Sequence, residues 1–378
     1  MIDSQLALIT QFKEQLLDPV KRQFVGKDEI VELLGITLIA RENLFLHGPP
    51  GTAKSALVNA ISQRIEGRSF DYLLTRFTEP NELFGPFDIS RLKEGELVTN
   101  TDGMLPEAEI IFLDELFNAN SAILNNLLTA LNERVFRRGR ETYQLPALTF
   151  VGASNNLPED ETLRALFDRF LIRASCGPVS DDQLRAVLHA GWQHEGDQSH
   201  QEAVTADQIR EIQNLVPQVD LTGSTEVYLE LILKLRQAGL DLSDRRAVRL
   251  QRVIASSAIL SGRLATRPSD LWILRHIWDR EEQIDIIASI VTTTLDRFEK
   301  AADDHPAATE NPPPDPERLA ALVNGLLTRS SLTLDDLEKS TLSDEARLLA
   351  SQLEWLPDGE EKLALKERLD QVWQAASS

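Results

Sequence analysis

Cysteine is all but missing from these 378 residues: Cys176 stands alone. That excludes an internal disulfide and any multi-cysteine metal site, and it fits a reducing compartment. Positive charge is also short, with 39 Lys and Arg against 60 Asp and Glu and a formal net charge of −21. Non-specific attraction to nucleic acid or to an anionic membrane surface is therefore disfavoured and protein partners are favoured, although a basic groove inside an acidic whole stays open. Long hydrophobic runs are absent as well. The best stretches, "ELLGITLIA" and "DIIASIVTTTL", fall short of the roughly 20 residues that span a bilayer. The amphipathic start "MIDSQLALITQFKEQLL", interrupted by Lys13, Glu14 and Asp18, shows no signal peptide. The expectation is a soluble, cytoplasmic chain that does not span a membrane. Hydrophobic residues make up 42% of it, enough for cores in two or three domains.

The pattern changes along the chain. Residues 1 to 40 read as helical, with Val25-Gly26-Lys27-Asp28 as a break. From 43 to 176, "NLFLHG", "SFDYLLTRF", "EIIFLDE", "LTFVGASN" and "RFLIRASC" read as strands. Such continuous apolar runs suit a parallel sheet buried on both faces in an α/β layer architecture. From about 179 strand signals vanish and helical spacing takes over. "AADDHPAATENPPPDPERL" is rich in proline and acid and reads as a linker. The expected division is an α/β core over 1–178, an all-helical domain over 179–300, a linker over 301–316 and a helical appendage over 317–378. No internal repeat is present.

Chemistry concentrates at Gly48-Pro49-Pro50-Gly51-Thr52-Ala53-Lys54-Ser55, between the apolar strand "NLFL" and the helix "SALVNAISQRI". This is nearly GxxxxGK[ST] in its strand, loop, helix context. Backbone N–H groups of such a loop converge on phosphate, Lys54 would pair the β- and γ-phosphates, and Ser55 would ligate Mg²⁺. Ala53 replaces the last glycine of the consensus; it keeps its N–H, so the cradle survives if Ala53 sits at negative φ. Ile110-Ile-Phe-Leu113-Asp114-Glu115 delivers two carboxylates at a strand end, where Asp114 would hold Mg²⁺ through a water and Glu115 would polarise the attacking water. A helix-capping acid would look the same in isolation. "LTFVGASNN" ends in Asn155 and Asn156, whose amide could orient the lytic water or merely begin an Asx turn.

In this order these segments resemble the AAA+ ATPases, and among them the MoxR family, with "FLHGPPGTAKS", "LLTRFTEPNELFGPFDIS", "GMLPEAEIIFLDELFNANSAILNNLLTALNERVFRRG", "ALFDRFLIR" and "LSDRRAVRLQRVIASSAILSGR" similar to its RavA-type subfamily. The likeness runs from about residue 10 to 290. It implies an ATP hydrolase fold with a helical lid, binding ATP or ADP with Mg²⁺. Lys54 and Ser55 then match Walker A, Asp114 and Glu115 Walker B, and Asn155 sensor 1. Arg169 matches the arginine finger that enters a neighbour's site, and Arg245 or its competitor Arg246 matches sensor 2 on the γ-phosphate. Alanine before the lysine is common in loops of this family. The resemblance also implies a ring, a hexamer, that remodels or matures a protein target beside a von Willebrand factor A (vWA) domain adaptor. It further implies that "FGPFDISRLKEGELVTNTDGMLPEA" is an insert facing the ring pore. A nucleotide-switched scaffold and a nucleic-acid motor are the rival readings.

Several residues carry a second, plainer reading. Arg169 without the family would be a helix-end charge. "RVFRRGRETYQLP" reads as a hairpin turning at Gly139, whose Arg137, Arg138 and Arg140 could meet an acidic partner or lie solvated at its tip. His47 could touch nucleotide or be a structural histidine, and Cys176, Trp272 and Trp278 read as packed core.

Overall fold

The computed structural model describes residues 2–93, 98–138, 141–158, 160–179, 181–194, 203–299, 301, 303–309, 316–330, 346, 349–350 and 360–376. Gly139 and Arg140, and residues 310–315 of the expected linker, lie outside them. The chain divides into two compact units, Met1–Thr309 and Glu310–Ser378.

The first unit is built on a parallel sheet of order β3-β4-β7-β1-β8, formed by β1 (Leu44–His47), β3 (Ser69–Leu73), β4 (Ile110–Asp114), β7 (Thr149–Ser154) and β8 (Ile172–Ser175). All five expected strands are present, and every residue of β1 and β7 is buried, as continuous apolar runs demand of central strands. β3 is at the edge, and only Phe70 of its residues is buried. A two-residue parallel ladder, β2 (Ile65–Glu66) with β9 (Val204–Thr205), ties the chain beyond 179 back to the core. Strand pairing therefore reaches further than the helical pattern implied, because two residues are too few to show a period. The hairpin is β5 (Val135–Arg138) with β6 (Glu141–Gln144).

The helix Asp28–Ala40, with nearly every residue buried, lies between the sheet and the helical part. The helix Asp244–Leu260 packs on it, and Arg249 pairs with Glu42 while Arg252 Nε donates to the Ala40 carbonyl at 3.1 Å. Helices Thr222–Gln237 and Gln283–Leu295 and the 3₁₀ segment Pro268–His276 complete this part, with Trp272 and Trp278 fully buried in its core as the sequence predicts.

One expectation needs correction. The first residues of the proline- and acid-rich stretch are not a free linker: His305 is fully buried, stacks on Trp272 at 4.9 Å between ring centroids, and bonds Glu32 at 3.2 Å. Pro306–Thr309 forms a helical turn whose Ala307 carbonyl accepts from Arg275 at 2.9 Å. Composition marked these residues as coreless, but one buried histidine and two alanines suffice to dock them.

The second unit has helices Pro316–Ser330 and Glu360–Ala376, whose Leu319, Val323 and Leu326 share a small core with Leu365, Leu369 and Val372. Apolar residues at three- and four-residue spacing give each helix one buried stripe.

Candidate nucleotide site

The strand order assembles the site. The phosphate loop leaves the C-terminal end of β1, Asp114 ends β4, and Asn155 follows β7, which lies between the two. All three therefore meet on the carboxyl edge of the sheet, where ligands of parallel α/β sheets sit.

The loop is tightly packed. A side chain at Gly48 would place its Cβ 2.1 Å from the Cys176 carbonyl oxygen, so only glycine fits. Thr52 Oγ1 donates to the Pro49 carbonyl at 2.9 Å, and the Cys176 thiol donates to the Thr52 carbonyl at 3.2 Å. Cys176 is thus the packed residue the sequence implies, and it also braces the loop. Ala53 departs from expectation: it adopts φ +65°, ψ +21°, the left-handed region, and not negative φ; its N–H is present in that conformation too, so negative φ is not a condition for the cradle. An alanine there costs about 1–2 kcal/mol relative to a relaxed conformation. Glu115 is left-handed too, at φ +50°. Two non-glycine residues in this sparse region, one on each side of the site, mark a surround that over-determines the backbone.

The buried Lys54 ammonium donates to the carbonyls of Gly48 at 2.6 Å and Pro49 at 3.0 Å and to Asn155 Oδ1 at 2.9 Å. The Asn155 amide in turn donates to a Glu115 carboxylate oxygen. Ser55 Oγ donates to Asp114 Oδ2 at 3.0 Å. Thus Gly48 to Ser55, Asp114, Glu115 and Asn155 come together, whereas Asn156 is exposed and bonds only locally, through its N–H to Ser154 Oγ. The adjacent hydroxyl and carboxylate oxygens of Ser55 and Asp114 are hard donors that fit Mg²⁺, which keeps several waters and needs few protein ligands. Among the described residues no cluster of three or more His, Cys, Asp or Glu offers an all-protein metal cage.

The arginines lie elsewhere. Arg169 sits where the chain enters β8, and its carbonyl accepts from Asn43 Nδ2 at 2.8 Å at the entry of β1. The four residues of β1, about 13 Å of strand, separate this end from the phosphate loop. Arg169 Nε is buried without a hydrogen-bond partner. Arg245 is exposed, and its guanidinium donates to Asn132 Oδ1 at 2.6 Å. Arg246 bonds Asp279 at 2.8 Å and the Ile277 carbonyl. Arg169 and Arg245 line one cavity of about 770 Å³ beside β8, and neither Arg245 nor Arg246 bonds to its own phosphate loop. Arg246 thus acts as a strut, held by Asp279 and the Ile277 carbonyl.

That strut has a partner that sequence reading missed. Arg173, fully buried in β8, bonds Asp279 and the carbonyls of Trp278 and Phe170, and its guanidinium lies 3.8 Å from the Phe167 ring centroid. Burial lowers its pKa to about 10, with Arg246 adding to the effect and Asp279 opposing it. In sequence it looks like an outward residue of an apolar strand. His47, which opens the loop, is also structural: its Nε2 bonds Glu281 of the helical part, and its ring meets Trp278 edge-on at 6.1 Å.

Two arginines of the basic hairpin, Arg137 and Arg138, are paired within the chain. Arg138 donates to the Gly85 carbonyl and Asn81 Oδ1, both at 2.7 Å, and covers the Phe87 ring at 3.8 Å. Arg137 pairs with Glu133 at 2.9 Å.

A family profile described as the MoxR domain in the MoxR-vWA-beta-propeller ternary systems matches residues 10–214, and one for the AAA lid domain matches 225–291. An uncharacterized protein of Methanocaldococcus jannaschii is 34% identical over 288 residues, 75% of this chain and 75% of its own. Chaperone MoxR1 of Mycobacterium tuberculosis is 27% identical over 180 residues, 47% of each chain. A crystal structure of a candidate ATPase from Cytophaga hutchinsonii superimposes with a TM-score of 0.63 at 22% identity, over 79% of this chain and 97% of that one, and shares the fold. The first profile alone spans more than half of the 378 residues, and the chain belongs to the MoxR family of AAA+ ATPases.

Proposed function

We propose that this chain hydrolyses ATP as a subunit of a ring, a hexamer, and uses the turnover to remodel or mature a protein target. The observation that carries this is the separation of Arg169 and Arg245 from the phosphate loop of their own chain, while Lys54, Asn155 and Glu115 form one hydrogen-bonded line. A site with a positioned base and no arginine is half a site for phosphoryl transfer.

In this reading Lys54 leaves the Gly48 and Pro49 carbonyls to pair the β- and γ-phosphates, and the loop's N–H groups hold the β-phosphate. Ser55 and Asp114 would hold Mg²⁺, which would supply charge neutralisation on the phosphates. Glu115, released by Asn155, polarises the attacking water, and Asn155 orients it. Arg169 and Arg245 of the adjacent copy stabilise charge on the γ-phosphate. ADP and phosphate leave. Arg246 and Arg173 hold the helical part against the core through Asp279.

The working division is a core over 1–178, a lid over 179–300, the stretch 301–316, and a C-terminal helical appendage over 317–378. A vWA-domain protein is the proposed adaptor, supported by the description of the matching profile. The net charge of −21 speaks against a nucleic-acid motor. No helix among the described residues is long and apolar enough to cross a membrane, and a cytoplasmic location is proposed. The test is native mass with and without ATP and Mg²⁺, paired with ATPase rate against protein concentration. Rate per subunit should rise as the ring forms; a rate independent of concentration would sink the reading.

A further inference from the structure

Phe77 is 90% exposed, more than any other large hydrophobic residue among those described. We propose that it anchors the contact between copies of this chain, seated in the arginine-lined cavity of the next copy. The inference rests on the ring reading and adds to it the residue that joins the two halves of each site.

The loop that carries Phe77 is fixed. Thr78 Oγ1 accepts from the Thr75 N–H at 2.9 Å, Thr75 Oγ1 accepts from the Phe77 N–H at 3.2 Å, and Asn120 Nδ2 donates to the Thr78 carbonyl at 2.7 Å. The backbone that presents the ring is therefore pre-organised for a partner, and binding has only the ring's own two side-chain torsions left to order. Folding itself gains nothing from the ring. The loop also starts at the site: Leu74 N–H donates to the Asp114 carbonyl at 2.9 Å, and Asn120 caps the helix that begins six residues after Glu115. Movement at the strand-end acids would therefore be felt at Phe77.

The receiving surface has matching chemistry. The cavity beside β8 combines apolar Leu157, Pro158 and Leu171 with the guanidinium groups of Arg164, Arg169 and Arg245. An aromatic ring fits such a lining, since its body takes the apolar wall and its face takes a cation. Both surfaces carry mixed charge: exposed Asp71, Arg76 and Glu79 lie on or beside the Phe77 loop, and the cavity lining holds six arginines against five carboxylates, with Arg164 and Arg245 exposed, so pairing of either sign is available around the ring. β3 and β8 are opposite edges of one sheet, so this contact cannot be self-complementary. It joins unlike surfaces head to tail, the arrangement that closes into rings. It also brings Arg169 of one copy towards the acids of the other.

The test compares wild type, Phe77→Ala and Phe77→Tyr in the whole chain, by sedimentation across a concentration series with ATP and Mg²⁺. Binding of a fluorescent ATP analogue serves as the control. The alanine variant should bind the analogue within about twofold of wild type yet need at least tenfold more protein to assemble, with tyrosine close to wild type. Assembly of Phe77→Ala at wild-type concentrations overturns the proposal, including the case where only activity on a protein target is lost, which would place Phe77 on the target. If wild type itself stays monomeric, the ring reading fails and this inference with it.

Discussion

Asn155 Oδ1 accepts a hydrogen bond from the Lys54 ammonium at 2.9 Å. Because the other end of the same amide donates to Glu115, the phosphate-binding cation and the base are tied through one neutral side chain. Nucleotide that draws Lys54 away would change what Glu115 is bonded to. Replacing Asn155 by Ala should lower kcat by roughly 10²-fold or more while nucleotide affinity shifts by only a few-fold. Steady-state hydrolysis beside analogue binding separates the two; unchanged kcat would remove Asn155 from the chemistry.

Ala53 at φ +65° holds strain that glycine would relieve. Ala53→Gly should leave thermal stability unchanged or raise it by about 1 kcal/mol, since relief of about 1–2 kcal/mol is offset by the greater freedom of an unfolded glycine chain. Ala53→Val should lose about 2 kcal/mol or more, a β-branched side chain being worse there. Denaturant melts read both. A large loss for the glycine variant would mean the strain is not borne by this residue.

Arg245 and Arg246 should separate cleanly. Arg245→Ala should keep the melting midpoint and lose hydrolysis, because its guanidinium is exposed and bonded to Asn132 at the surface. Arg246→Ala should lose about 2–3 kcal/mol of stability, because Asp279 then keeps Arg173 alone in a partly buried place. Equal melting midpoints for the two variants would contradict this division.

The buried Glu32 predicts an acid transition. Burial by itself would raise its pKa, but hydrogen bonding and charge from His305 and Lys21 outweigh that and hold it at about 2, below its ordinary 4.5. A lowered folded-state pKa contributes stability above pH 4.5 that is lost as pH falls towards 2. Glu32→Gln should therefore be less stable at neutral pH and lose less than wild type over that interval. Parallel stability curves would show that the pair does not carry the transition.

The five strands and the loop were readable because central parallel strands must be continuously apolar and a phosphate loop has fixed spacing. The same residues did not reveal that Asn155 lies between Lys54 and Glu115. That follows from β7 sitting between β1 and β4, a fact of strand order. Ala53 was expected at negative φ because residue type alone sets the conformational preference, whereas the bonds around Pro49, Thr52 and Cys176 set the outcome. Arg138 looked available to a partner until the hairpin register turned it onto Phe87. His305 lay inside a stretch whose composition is that of a linker, and only Trp272 and Glu32, distant in sequence, give it a place.

If each nucleotide site is completed by the next copy, two variants inactive on their own should restore activity when mixed. Glu115→Gln keeps its arginines and Arg169→Ala keeps its base, so an equimolar ring contains sites with both groups intact. Hydrolysis should return to about a quarter of the wild-type rate, the fraction of heterologous contacts that pair an intact acid with an intact arginine. A mixture as inactive as its parts, from chains shown to co-assemble, would contradict the account, as would an Arg169→Ala chain that hydrolyses ATP alone.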